Sequence, residues 1–290
     1  MDQKLWNINF CNANSRETYY TIHNVKAAHK YGRGKDVRVG IIDWLFGLDE
    51  HNDLYSGGVD LSGNADCSYK NSGHGYWMAC ALKEIAPECR IFAINFLNGE
   101  NVNERAEYIV KAVDWAIENG IDILTYSHSR FNNDERAVID KAVDKAYAKG
   151  VTTTFIHYDY EKNIFPGGLF KFREGVRDYD IRILHYDYNT LSVDKYEKYI
   201  AMNKTDIKSG DDVPYFSISS MSPVLAGFVA ILKSVNRSLT ADDCKKILKE
   251  TSYSTHFTGY APFDDVDIDN VADIGKATKL TYDGLLAGGK

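Results

Sequence analysis

The sequence predicts an α/β fold of three layers, a mostly parallel central sheet with helices on both faces. Three observations predict it. β-Branched runs of strand length recur through the first half of the chain, two segments between them carry apolar residues at helical spacing, and each of those segments stops at a glycine before the next run begins. Strand, helix, strand in that rhythm calls for parallel pairing, with crossovers that lay helices over the sheet.

VRVGII, residues 37 to 42, follows the turn-rich YGRGKD and reads as a buried central strand. RIFAINF, 90 to 96, is a second. Between 103 and 119 a helix gathers Ile109, Ala112, Val113, Ala116 and Ile117 on one face, with Gly120 as its stop. The strand IDILTYS comes next. From 134 to 149 the pattern repeats with Val138, Ile139, Ala142, Val143 and Ala146, ends at Gly150 and passes into VTTTFI. Beyond Phe165 the periodicity fades, and IRILHY and KYIAM read as later strands. PVLAGFVAILKSV is apolar nearly all round, which predicts a helix buried in the middle of the molecule. Thr240 or Ser238 caps a final amphipathic helix through Lys249.

A chain of 290 residues with 44% hydrophobic content can bury one large core. No repeat or linker divides it, so a single domain over 18–280 is expected, with an N-terminal extension over 1–17 and a C-terminal tail over 281–290. A net charge of -7 argues against nucleic acid as partner, because phosphate binding needs clustered Lys and Arg. No stretch is apolar enough for a membrane span, and MDQKLWNINF lacks the pattern of a secretory signal, so a soluble, cytoplasmic protein is expected. Five cysteines with no CxxC pair argue against a disulfide framework or a zinc ribbon. Nothing in the sequence sets an oligomeric state.

Ligands of open parallel sheets gather at the carboxyl ends of the strands. Asp43 ends VRVGII there, His74 stands between two glycines in SGHGYWMA, and Ser219 in SISSMSP precedes the buried helix. Each alone also fits a plain role as strand-end cap, turn residue or helix N-cap. Together they supply the acid, base and hydroxyl of nucleophilic acyl transfer. A serine hydroxyl is a weak nucleophile until an imidazole takes its proton, and a carboxylate fixes the imidazole's tautomer.

In chain order these segments resemble the subtilisin-like serine proteases, over roughly residues 18 to 280. VRVGIID with HNDL resembles the family's aspartate strand and the HPDL after it. SGHGYWMACALKEIAPECRIFAINFL resembles the histidine helix, its Ala-Pro turn and the next strand. AVDWAIENGIDILTYSHS is similar to the segment leading into the substrate-binding strand, and SISSMSPVLAG to the serine motif GTSMASPHVAG. The resemblance implies Asp43 as orienting acid, His74 as general base and Ser219 as nucleophile. It implies substrate-binding roles for Ser127, His128, Ser129 and Arg130, which stand where the family has SLGG. Without those glycines the pocket narrows or favours an acidic or polar P1 side chain.

The departures sharpen the expectation. The family's small residue and glycine after the aspartate are here Trp44 and Leu45, its second histidine is Trp77, and GTS has become Ser217, Ile218, Ser219. The oxyanion asparagine corresponds to Asp159 in HYDY. An amide donates to the developing oxyanion whereas an ionised carboxylate only accepts, and losing one such donor costs about 3 kcal/mol. Three outcomes fit: a protonated Asp159, as in the related sedolisins; another donor such as His157; or a protein that no longer cleaves. Between the histidine helix and the Ala-Pro turn the family's calcium loop is missing, Asp53 reads as structural, and FDDVDIDN, 263 to 270, reads as a solvated turn. No cofactor or metal is expected.

Two functions follow. One is a serine endopeptidase of narrow specificity that cleaves a peptide or protein through an acyl-enzyme; the alternative is a pseudoprotease that binds a peptide or protein partner in the same cleft. GRGKD precedes its strand, so it cannot cradle a dinucleotide at the following helix. His23, His29, His51, His185 and His256 read as structural or solvated, while His128 and His157 fall beside the cleft by the resemblance.

Overall fold

The computed structural model describes residues 7–9, 23–63, 72–96, 105–128, 132–156, 167–171, 179–184, 218–258 and 266–288. The strands are β1 (Asn7–Asn9), β2 (Arg38–Asp43), β3 (Tyr55–Asp60), β4 (Arg90–Asn95), β5 (Ile123–Tyr126), β6 (Thr152–Ile156), β7 (Gly167–Lys171), β8 (Tyr179–Leu184), β9 (Tyr253–Thr258) and β10 (Val266–Val271). The helices are α1 (Val25–Ala28), α2 (His74–Ile85), α3 (Arg105–Glu118), α4 (Asn133–Ala148), α5 (Ile218–Val235), α6 (Ala241–Thr251) and α7 (Ile274–Gly288).

One sheet runs β1-β9-β10-β8-β7-β6-β5-β2-β4-β3. From β3 to β6 every pairing is parallel, and β7 then turns the direction against β6. The parallel block is the mostly parallel central sheet that the β-branched runs predict. Its pleat divides the core in two. Val39 and Ile41 of β2 join the α2 and α5 side, while Ile42 joins the side covered by α3 and α4. Side chains alternate along a strand, so Asp43 falls on the same face as Val39 and Ile41, toward α2 and α5. That parity places the carboxylate where a residue of α2 meets it.

Local chemistry explains the element ends. Asn132 and Glu135 form a capping box at the start of α4, and Thr240 with Asp243 does the same for α6, which selects Thr240 over Ser238 as the cap. α5 begins at Ile218, a turn earlier than the run from Pro223 suggests. FDDVDIDN is corrected in part: Val266–Val271 is strand β10, antiparallel to β9, because Val266, Asp267, Ile268 and Asp269 alternate with the strand period. KYIAM lies outside the described residues. Among the described cysteines, Cys89 and Cys244 are buried and free, and burial pushes both thiols up to about 12, which leaves them inert at neutral pH.

Two histidines tie distant parts of the chain. His23 is fully buried and its Nδ1–H donates to the Ala272 carbonyl at 2.7 Å. The His29 Nε2–H donates to the Ile85 carbonyl at 2.8 Å, at the end of α2. Among the described residues, no helix is long and apolar enough to cross a membrane.

Candidate active site

Asp43 is the last residue of β2 and is completely buried. Its Oδ1 accepts from the backbone N–H of Trp44 at 2.9 Å, and both carboxylate oxygens lie 2.8 Å from Nδ1 of His74. A carboxylate offers no proton, so Nδ1 is the donor and the neutral ring keeps its lone pair on Nε2. Burial pulls the His74 imidazolium toward neutrality, but the charge of Asp43 and its hydrogen bond outweigh that pull, and the net shift is above the ordinary imidazole value. The side chain of His74 is 17% exposed while that of Asp43 is 0%. One partner is therefore sealed and the other reaches the surface.

The glycines of SGHGYWMA have a steric reason. The N–H of Gly75 donates to the Trp44 carbonyl at 2.7 Å, and a Cβ at residue 75 would sit 2.6 Å from that oxygen. Only glycine lets α2 start so close to the end of β2. That close approach puts His74, the first residue of α2, against Asp43.

Ser219 lies in the first turn of α5, half-buried. Pro223 is four residues further on and has no N–H to give the Ser219 carbonyl. The Ser127 hydroxyl donates to that oxygen instead, at 2.9 Å. One turn along, Ser222 lies 2.9 Å from Oγ1 of Thr125, donates to the Tyr126 carbonyl at 3.0 Å, and also contacts the Thr154 carbonyl. These buried polar contacts pin the start of α5 to the ends of β5 and β6. Nothing in the sequence signals the Ser222 latch, because a serine early in a helix is commonplace.

Trp44 links the two halves of the site. Its ring stacks on His74 with centroids 4.9 Å apart and planes 7° from parallel, and lies 4.7 Å from the ring of His128. The rings of His74 and His128 are 5.3 Å apart, and His128 follows Ser127 directly. The structure thus gathers Asp43, His74, His128 and Ser127, with Ser127 bonded to Ser219. Ser129, Arg130 and Asp159 lie outside the described residues. Leu45, where the resemblance has glycine, holds φ at 58°, a left-handed backbone that disfavours a side chain. The sequence marked Trp44 as a departure but gave no sign of its stack.

No protein-family model matches the chain. It is 31% identical to Subtilisin DY of Bacillus licheniformis over 129 residues, 41% of this chain and 46% of that protein. It is 28% identical to the major intracellular serine protease of Bacillus subtilis (strain 168), over 33% of this chain and 34% of that protein. With serine protease AprX of the same strain it shares 23% identity, over 74% of this chain and 61% of that protein. The chain thus spans less than two thirds of the length of each of these relatives. Among solved structures, a protease of Pseudoalteromonas arctica superposes with a TM-score of 0.59 at 16% identity, covering 92% of this chain and 97% of that one. MycP1 with its N-terminal propeptide removed gives 0.57 at 14% identity and the same coverage. The solved structures establish the three-layer α/β fold of subtilisin-like proteases. Sequence likeness over part of the chain and a shared fold together support the reading of this chain as a divergent relative of the subtilisin-like serine proteases.

Proposed function

We propose that the chain is a serine endopeptidase of narrow specificity, cleaving a peptide or protein through an acyl-enzyme in the cytoplasm. The observation that carries the reading is the buried Asp43 carboxylate bound by His74 Nδ1, with both oxygens at 2.8 Å. It leaves Nε2 as the only ring site able to take a proton. In this reading Nε2 removes the proton of Ser219 Oγ as that oxygen attacks the scissile carbonyl, then returns it to the leaving amine. Asp43 steadies the imidazolium meanwhile. The Ser219 N–H, at the positive end of α5, supplies one donor to the oxyanion. The resemblance assigns Ser127, His128, Ser129 and Arg130 to the wall of the P1 pocket and Asp159 to the second oxyanion position. The cytoplasmic setting draws support from the free cysteines and from the intracellular protease among the relatives.

A fluorophosphonate probe tests the reading directly. Wild-type protein is expected to be labelled and Ser219→Ala is not. Folded wild type that stays unlabelled from pH 6 to 10 would instead favour a pseudoprotease that only binds a peptide, a reading supported by the carboxylate at Asp159 and the Trp44 ring laid over His74.

A further inference from the structure

The residues around His74 form a second kind of site. Asp43, His74 and His128 each offer one donor atom, and these atoms all lie within 4.8 Å of one another. Two imidazoles and a carboxylate are the donor set of borderline-soft divalent ions, zinc above all. Zinc-to-nitrogen bonds of about 2.0–2.1 Å set donor atoms of a tetrahedral site about 3.4 Å apart. His74 Nδ1 and Asp43 already stand closer than that, at 2.8 Å. An ion entering between them widens that pair by about 0.6 Å, and His128 closes in by turning its own side-chain torsions from a backbone held next to the bonded Ser127.

We infer that Asp43, His74 and His128 form a binding site for a zinc-type divalent cation whose occupation switches the hydrolytic site off. The ion takes the place of the proton between His74 Nδ1 and Asp43, and that proton leaves to solvent. Water completes the coordination. Metal on Nδ1 withdraws electrons from the ring and engages the Asp43 charge that would steady an imidazolium, so Nε2 ceases to act as a base. The wall of Trp44 holds the two histidine rings on a common side, with centroids at 4.9 and 4.7 Å. His128 is the residue that creates the site, since the acid and base alone provide only two donors. The binding claim stands on geometry; its inhibitory consequence rests on the endopeptidase reading.

The test separates the two. Full-length Ser219→Ala protein, which cannot form an acyl-enzyme, is titrated with Zn2+ by calorimetry and with Co2+ by visible absorption. One ion per chain and the intense bands of a tetrahedral Co2+ centre are expected. His128→Phe keeps a ring against Trp44 but removes the donor, and should weaken binding at least tenfold, whereas His51→Ala, outside the cluster, should change it less than twofold. Absence of the Co2+ bands in folded protein, or binding unaltered in His128→Phe, overturns the site. Fluorophosphonate labelling of the wild type with and without Zn2+ then reads the consequence. Labelling that Zn2+ suppresses and a chelator restores supports the switch; labelling indifferent to Zn2+ overturns it. Protein that binds Co2+ but never labels refutes the endopeptidase reading and the switch while leaving the metal site standing.

Discussion

The indole of Trp44 lies face to face with the imidazole of His74, 4.9 Å between centroids and 7° from parallel. Trp44 also touches His128 and Phe96, so it is a shared wall rather than an isolated contact. A double-mutant cycle on Trp44→Ala and His74→Ala should return a coupling of about 0.5–1.5 kcal/mol, the usual worth of an aromatic pair beyond its buried area. Urea unfolding provides the measurement, and additivity of the two substitutions would mean the stack is not formed in solution.

The pH dependence follows from the same ring. Asp43 holds His74 above the ordinary imidazole value despite burial, and the proposed base works only when neutral. kcat/KM should therefore rise with pH through a midpoint above about 6.5, the ordinary value. A folded-state value above the unfolded one also means the pair's contribution to stability is full at low pH, below the unfolded value, and is lost as pH rises through the folded value. In Asp43→Asn only burial remains, so an NMR titration should find His74 below the ordinary value, with turnover down about ten-thousand-fold through the wrong tautomer. A wild-type midpoint at or below about 6.5 contradicts the electrostatic account.

Ser127 and Pro223 should behave as one device. Ser127→Ala leaves the Ser219 carbonyl without the hydroxyl that replaces the missing backbone donor, and should cost about 1–3 kcal/mol. Pro223→Ala restores an N–H at the right position in the helix. In the Ser127→Ala background it should recover part of that loss, whereas in the wild type it should add little. Equal effects of Pro223→Ala in both backgrounds would remove the link.

Leu45 offers a reversal of a familiar ranking. Its φ of 58° is strained for a side chain, by about 1–2 kcal/mol. Leu45→Ala loses the half-buried side chain and keeps the strain, while Leu45→Gly loses the same contacts and relieves it. The glycine variant should be the more stable by about 1 kcal/mol, as chemical denaturation can establish; alanine equal to or above glycine refutes the claim.

Asp159→Asn probes the proposed oxyanion position. An amide there donates where an ionised carboxylate repels, so turnover at pH 7 should rise, by up to about a hundredfold. A fall in turnover would assign Asp159 a donating, protonated role.

Much of the fold was legible because burial writes a period into sequence. β2, β4, β5 and β6 are β-branched runs buried along most of their length, and α3 and α4 are amphipathic and end at glycines. β3 left little trace: Ser56, Gly57 and Gly58 of this edge strand are exposed, so it carries no apolar alternation to read. β10 was hidden by its aspartates, whose charge suggests a turn although Asp267 and Asp269 fall on one side of the pleat. The start of α5 was displaced because Pro223 looks like a first helical residue, while the Ser127 hydroxyl, 92 residues away in sequence, donates to the Ser219 carbonyl that Pro223 leaves without its helical donor. The resemblance supplied Asp43, His74 and Ser219 by order and flanks. The stack of Trp44 could not be carried over that way, since the family's small residue at that position has no ring to stack on His74.

The bond from His23 to Ala272 joins positions 249 residues apart and closes α1 onto the start of α7. During synthesis that closure waits until residue 272 has left the ribosome, so Val25 and Ala28 of α1, fully buried in the fold, cannot complete their packing before then. Long-range closures of this sort slow assembly. The docking of α1 is therefore timed by a partner made 249 residues after His23.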